Sequence, residues 1–394
     1  MTDLFEMPTL ILLTSLILLL LVWLIRAKRS SKTKKNRRLP PEYFTGLNYL
    51  LNDEHGKALD IFVKLVESDW EIVDTHFALA KIFRKNGEID KAIKIHQGLI
   101  ARPSLPEKYR SKVLLELGYD YLAAGWLDRA EGLFKEVLIN DRKSEKAKRN
   151  LILIYQQEKD WHKAIDVGAD LFSEGKSGVG AMVSQYYCEL AEIAKNKGDI
   201  TLAAQNSRQA LHYDQGSIRA LILLADHEID KCNYAQALRY LEQVEKRDIA
   251  FFPVILDKLI ECYHRTAGSE KLLSYLHEIE LQHPLLAINE KHAIVIERYQ
   301  GRDAAIEYLT AKIQDYPDSK SMLSLINYKT SQSEVSERAL LLDLKSALIK
   351  MQQDVADYQC HHCGFQANTL YWLCPSCQSW ATVKPTMIET TCKQ

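Results

Sequence analysis

Two C-x-x-C pairs near the end of the chain have the residue types and spacing to do chemistry. Cys360-His-His-Cys363-Gly364 is followed after ten residues by Cys374-Pro375-Ser-Cys377. Four thiolates at this spacing can surround one ion, and Zn²⁺ is the usual occupant of a four-cysteine site. A single iron is the alternative, because four thiolates also hold that ion. His361 and His362 sit between the first two cysteines, but four sulfurs already complete a tetrahedral shell. The predicted metal ligands are therefore Cys360, Cys363, Cys374 and Cys377, with both histidines as bystanders.

The segment from Tyr358 to Val383 is too short to build a hydrophobic core of its own. A bound metal would supply most of its folding free energy, on the order of 10 kcal/mol or more. Gly364 allows the backbone to turn so that amides point at sulfur, and Pro375 stiffens the second knuckle. Tyr358, Phe365, Tyr371, Trp372 and Trp380 give the unit a large apolar face, expected to dock on the rest of the chain or on a partner.

Other chemistry finds no support. Gly175-Lys176-Ser177 resembles the end of a phosphate-binding loop, but Asp170 stands where that loop needs its first Gly. The sequence holds no H-E-x-x-H and no G-x-S-x-G. A redox C-x-x-C would follow a strand and open a helix, which neither pair does. No catalytic or cofactor-binding residue is assigned. Cys188, Cys232 and Cys262 fall in helical stretches and Cys392 in the tail, without disulfide-like spacing, which reads as a reducing compartment.

What positions the cysteines is a repeat array. A frame of about 34 residues recurs, with small or aromatic residues at its eighth and eleventh positions and Ala at its twentieth. Gly46, Tyr49, Ala58 and Phe62 fit it, as do Ala80, Phe83 and Ala92. Leu117, Gly118, Tyr121, Ala130 and Phe134 follow, then Tyr155 and Ala164, Leu190, Ala191 and Ala203, and Ala225 and Ala237. Looser units hold Leu259, Tyr263 and Leu272, and then Ala293, Ala305 and Leu309. Small residues let the two helices of a unit approach closely, and larger ones fill the space between units. Gly87, Gly125, Gly198 and Gly301 sit where a turn needs a left-handed cap.

Two further helices, 321–328 and 336–353, are expected to cap the array. Leu340, Leu341, Leu344, Leu348 and Met351 read as a buried stripe on the second. Such arrays form a superhelix whose concave groove holds a peptide or a helix of another protein. By position, Asn48, Tyr119, Asp120, Tyr186 and Tyr187 are candidates to line it.

The other end of the chain reads as a membrane anchor. Thr9–Ile25 is an uncharged run of 17 residues, spanning about 26 Å as a helix. Acids precede it and eight bases follow it between Arg26 and Arg38, the reverse of a signal peptide. The positive-inside rule then leaves everything from Arg26 onward in the cytoplasm. The net charge of the chain is −1; setting aside those eight bases and Asp3 and Glu6 leaves −7 from Leu39 onward. A mildly acidic body argues against nucleic acid as a partner. The basic stretch suits the head groups of membrane lipids.

The expected fold class is all-α: a tetratricopeptide-repeat superhelix with an N-terminal transmembrane helix and a small C-terminal zinc-ribbon or rubredoxin-like element. Its parts are an anchor (1–25), a basic linker (26–40), about eight repeats (41–318), capping helices (319–355), the metal-binding element (356–383) and a tail (384–394).

That order of parts resembles the lipopolysaccharide assembly protein B family of Gram-negative bacteria along essentially the whole chain. The most specific match is Cys360-His-His-Cys363-Gly364-Phe365 with Trp372-Leu-Cys374-Pro375-Ser-Cys377-Gln-Ser-Trp380. The resemblance implies a non-catalytic inner-membrane adaptor facing the cytoplasm, whose rubredoxin-like element packs against the repeats. It implies as partners a membrane-anchored ATP-dependent protease, the deacetylase that commits carbon to lipid A, and an antagonistic inner-membrane protein that senses lipopolysaccharide. A scaffold that gathers lipopolysaccharide-synthesis enzymes, or an iron redox protein, are the alternatives. Homodimerisation stays open. Rubredoxins carry Gly after each second Cys; here Gln378 follows Cys377, which favours a structural metal over electron transfer.

Overall fold

A computed structural model describes residues 40–52, 54–68, 73–103, 105–266, 268–352 and 356–386. The anchor, nearly all of the basic linker, Gln353 and residues 387–394, with Cys392, lie outside the described residues. Among the described residues no helix is long and apolar enough to cross a membrane.

The chain divides into two compact units, residues 1–142 and 143–394. The described part of the first unit holds three helical hairpins: α1 (Pro41–Leu51) with α2 (His55–Ser68), α3 (Val73–Lys85) with α4 (Ile89–Ile100), and α5 (Glu107–Ala123) with α6 (Leu127–Asn140). The repeat frame explains their packing. Gly46 lies so close to Phe62, and Gly118 to Phe134, that a β-carbon would sit 2.8 and 2.6 Å from the ring. The small residue on the first helix is what lets the ring on the second reach the hairpin core. Ala58, Ala80, Ala92 and Ala130 are fully buried at the close helix contacts.

The second unit continues with α7 (Glu145–Glu158), α8 (Trp161–Ser173), α9 (Val179–Asn196), α10 (Ile200–Tyr213), α11 (Ile218–Asp230) and α12 (Tyr234–Arg247). A 3₁₀ turn (Ile249–Phe251) leads to α13 (Phe252–Thr266), α14 (Ser269–Gln282), α15 (Asn289–Gln300), α16 (Arg302–Asp315), α17 (Ser319–Gln332) and α18 (Val335–Gln352). Its main core runs from Leu221 and Leu241 through Phe251, Phe252, Ile255 and Leu259 to Leu276 and Val295. Gly198 closes the α9–α10 turn at φ 82°, while Lys159 and Cys232 take the same left-handed conformation in the α7–α8 and α11–α12 turns. Cys232 is thus an exposed turn residue, not a helical one; Cys188 and Cys262 are buried in helices.

Two expectations are corrected here. Asp120 and Tyr186 do not line a groove; both are fully buried. Asp120 sits between His96 Nδ1 (2.5 Å) and Arg84 Nη1 (2.6 Å), tying α3, α4 and α5 together. Both side chains face inward because the first helix of their hairpin packs on the preceding one: Asp120 meets Arg84 and His96, and Tyr186 meets Gln156 and Trp161. Tyr119 and Tyr187 are half-buried, against Phe134 and Tyr213 respectively, and Asn48 is exposed. The stripe on α18 is not core either. Leu340, Leu344 and Met351 are exposed by 63%, 48% and 69%, because among the described residues no further hairpin follows α18 to cover them.

A buried ionic cluster joins α14, α15 and α16. His292 Nδ1 lies 2.6 Å from Glu280 Oε1, Tyr308 donates its hydroxyl to the same oxygen, and Lys312 Nζ lies 3.1 Å from Oε2. Burial alone would raise the Glu280 carboxyl, but the hydrogen bond and charge of His292, with Tyr308 and Lys312, hold it below its ordinary value. A depressed carboxylate stabilises the fold fully above its unfolded pKa, and that contribution is lost as pH falls through the folded value. Glu280→Gln is therefore expected to lose about 1–3 kcal/mol at neutral pH. The gap in melting temperature between variant and parent should begin to narrow only as pH falls below about 4 and close at still lower pH. A gap independent of pH would show that the charge of Glu280 is not what stabilises the cluster.

Candidate metal centre

The terminal element is a three-stranded antiparallel sheet, order β2-β1-β3, with β1 (Tyr358–Cys360), β2 (Gln366–Ala367) and β3 (Val383–Pro385). Each C-x-x-C pair forms a tight knuckle, and the two knuckles repeat one hydrogen-bond pattern. In the first, Gly364 N donates to Cys360 O (2.9 Å) and Cys360 N to Phe365 O (2.7 Å). In the second, Gln378 N donates to Cys374 O (2.9 Å) and Cys374 N to Ser379 O (3.0 Å). Gly364 turns at φ 79° and Gln378 at φ 55°. The second knuckle thus makes the turn of the first with a non-glycine residue, at a cost of about 1–2 kcal/mol. The Gln378 side chain offsets part of this by donating to Pro375 O (3.1 Å).

The knuckles bring all four predicted ligands together. Their sulfurs lie within 4.8 Å of one another, with Cys360–Cys377 at 3.8 Å and Cys363–Cys374 at 3.7 Å. A tetrahedron with metal–sulfur bonds near 2.3 Å has an edge of about 3.8 Å, so the sulfurs stand where one ion could be shared. They are far too distant for disulfides. Cys360 and Cys374 are buried, Cys377 is half-buried and Cys363 exposed. The amides of His362 and Cys363 point at Cys360, and those of Ser376 and Cys377 at Cys374. Ser379 pulls the Cys377 thiol down to about 5, whereas burial pushes Cys374 up to about 11. Four thiolates this close repel one another, and a bound cation would offset that charge. Both histidines are exposed and outside this sulfur set; His362 Nδ1 lies 3.5 Å from Ser379 Oγ. The donor set fits a closed S₄ site, in which Cys360, Cys363, Cys374 and Cys377 would hold the ion and the ion would cross-link the two knuckles.

The element's apolar face lies against the helices of its own unit. Trp372 stacks on Phe251, with centroids 5.7 Å apart and planes 6° from parallel. Trp380 meets Trp161 and Tyr186 edge-on at 6.3 and 5.9 Å. The oxygen of Gln156 accepts from both Trp380 Nε1 and the Tyr186 hydroxyl, each at 3.0 Å. Arg219, only 3% exposed, lies 5.7 Å from the ring of Trp372 and 6.0 Å from that of Trp380. Its guanidinium is also held by Glu189 (2.8 Å) and Glu192 (2.9 Å). Lys384 at 2.5 Å from Asp248, and Lys320 at 2.6 Å from Asp357, tie down the sheet. Tyr371 is left exposed. Arg219, Gln156, Trp161 and Asp248 were not legible as site residues, since each meets the element from a hundred or more residues away in the chain.

A family profile described as "Rubredoxin metal binding domain" matches residues 358–385. Lipopolysaccharide assembly protein B of Escherichia coli K12 is 31% identical over 361 residues, covering 91% of this chain and 93% of that protein. The chain belongs to the lipopolysaccharide assembly protein B family. The family's Haemophilus influenzae member is 27% identical over 375 residues, with the same coverage of both chains. Among solved structures, the C-terminal part of a TPR repeat-containing protein from Cytophaga hutchinsonii covers 72% of this chain and 99% of its own at 13% identity and TM-score 0.42. For this member of the lipopolysaccharide assembly protein B family, the packing of the rubredoxin-like element against the repeats is therefore an observed contact: two tryptophans, one arginine and a shared glutamine amide.

Proposed function

We propose that this chain is a non-catalytic adaptor in lipopolysaccharide synthesis, held at the inner membrane by residues 9–25 with its repeats and metal element on the cytoplasmic side. In this reading it promotes degradation of the lipid A-committing deacetylase by a membrane-anchored ATP-dependent protease, and a lipopolysaccharide-sensing membrane protein restrains it. The observation that carries the non-catalytic part is the sulfur set. Four cysteines complete a tetrahedral shell, whereas a catalytic site keeps one position for water or substrate. Family membership supports the link to lipopolysaccharide, and helical repeats are a common platform for binding protein segments. The metal is zinc in this reading, with iron the alternative.

Depleting the protein should lengthen the half-life of the deacetylase in cells. An unchanged half-life would defeat the adaptor reading. Continued co-purification with several lipopolysaccharide-synthesis enzymes from membranes would then favour a scaffold. Metal analysis of the purified chain should return one zinc and no visible absorbance; a coloured iron protein with a reversible one-electron couple would point to the redox alternative.

A further inference from the structure

The exposed face of α18 has the pattern of a helix that pairs with its own copy. Leu340, Leu344, Ala347 and Met351 are all exposed, and they step by four, three and four residues. Those steps average about 3.7 residues, so the four share one face of the helix; Leu342 and Ile349 are also exposed, on the opposite face. Leu341 and Leu348 sit beside the seam, half-buried, on the side that faces α17. Asp343 and Lys350 border the opposite side, both exposed. Among the described residues neither has an ion-pair partner.

Charge decides which cover fits. Two α18 helices running antiparallel can set Leu344 of one against Ala347 of the other, and Leu340 against Met351. In that register Asp343 of one copy falls beside Lys350 of the partner subunit, and two-fold symmetry makes the same pair a second time. Antiparallel packing also opposes the two helix dipoles. A parallel pair leaves both charges without mates. The seam is short, and an isolated helix of 18 residues would be marginal. Here α18 is already formed on α17, so pairing need not supply the ordering free energy.

We propose that α18 is a dimerisation helix, pairing antiparallel with α18 of a second copy through Leu340, Leu344, Ala347 and Met351, with reciprocal Asp343–Lys350 ion pairs. Such an interface is isologous and closes at two copies.

The test is a charge swap on the full chain in mild detergent, with mass followed against concentration by light scattering. The parent is expected to dimerise. Asp343→Lys or Lys350→Asp alone turns both attractive pairs into repulsive ones and should weaken the dimer by roughly tenfold or more. The double swap should restore it. Both positions are exposed, so all three variants should keep the parent's helicity and melting temperature, which separates lost pairing from lost folding. A monomeric parent, or a dimer indifferent to the single reversals, would overturn the proposal and leave residues 387–394 or lipid as the cover of this face.

Discussion

Cys374→Ser is expected to cost this protein its bound metal and to release the terminal element from the helices. The element has little else to hold it. Its core is Cys360, Cys374 and Val383, with Tyr358, Phe365, Leu370 and Cys377 partly covering them. Its strands are two or three residues long. A structural metal in such a unit supplies on the order of 10 kcal/mol of folding free energy. Cys374 is the fully buried ligand of the second knuckle and receives two amides from that knuckle. A serine hydroxyl there is a poor ligand for a soft-donor site, so the knuckle should open. Trp372 and Trp380 would then leave Phe251 and Gln156 and become hydrated.

The expected results are loss of stoichiometric metal, a red shift in tryptophan emission, and faster proteolysis between α18 and β1. Far-UV helicity should change little, because the hairpins carry their own cores. Chelation of the parent should reproduce all of these effects. Unchanged emission after verified metal loss would show that the helices, not the ion, hold the element's fold.

The parts legible in the sequence were those encoded locally. Two C-x-x-C pairs specify a sulfur tetrahedron because each knuckle is a six-residue turn that places its own cysteines. The hairpins were legible because small residues such as Gly46 and Gly118 recur at one position of the frame, each 16 residues before the Phe62 or Phe134 ring that it accommodates. What failed was the sidedness of helices. The α18 stripe looked like core because a helical apolar pattern does not say whether a neighbour exists to cover it. Tyr186 looked like a groove residue because it is polar-tipped and lies on a first helix, yet its hydroxyl is consumed by Gln156 beneath the metal element. The docking surface was illegible for a related reason. Trp380 and Gln156 are 224 residues apart, and nothing around Gln156 marks it as an acceptor for a distant indole.

Arg219→Ala is expected to loosen the metal element without emptying it. Arg219 stands near the start of α11, at the junction of two charge-bearing and two aromatic groups. Burial opposes its charge, but Glu192 and Glu189 favour the charged form, so it stays protonated. Removing one partner of a fully buried ion pair costs about 3–5 kcal/mol. Glu189 and Glu192 keep 26% and 40% of their side-chain exposure, so solvent can take over part of that role. The two ring contacts add about 0.5–2 kcal/mol each. A net loss of roughly 2–4 kcal/mol follows. Arg219→Lys keeps the charge but not the planar fork that reaches both carboxylates while lying near both rings, so it should recover less than half. A double-mutant cycle with Trp380→Leu isolates the ring contact, and a coupling of about 1 kcal/mol is expected there. Metal content should stay stoichiometric in Arg219→Ala while proteolysis between α18 and β1 speeds up. That combination separates this variant from Cys374→Ser, in which metal and docking are lost together. Full additivity with Trp380→Leu would mean that Arg219 serves only Glu189 and Glu192, and that the tryptophans dock on the helices without it.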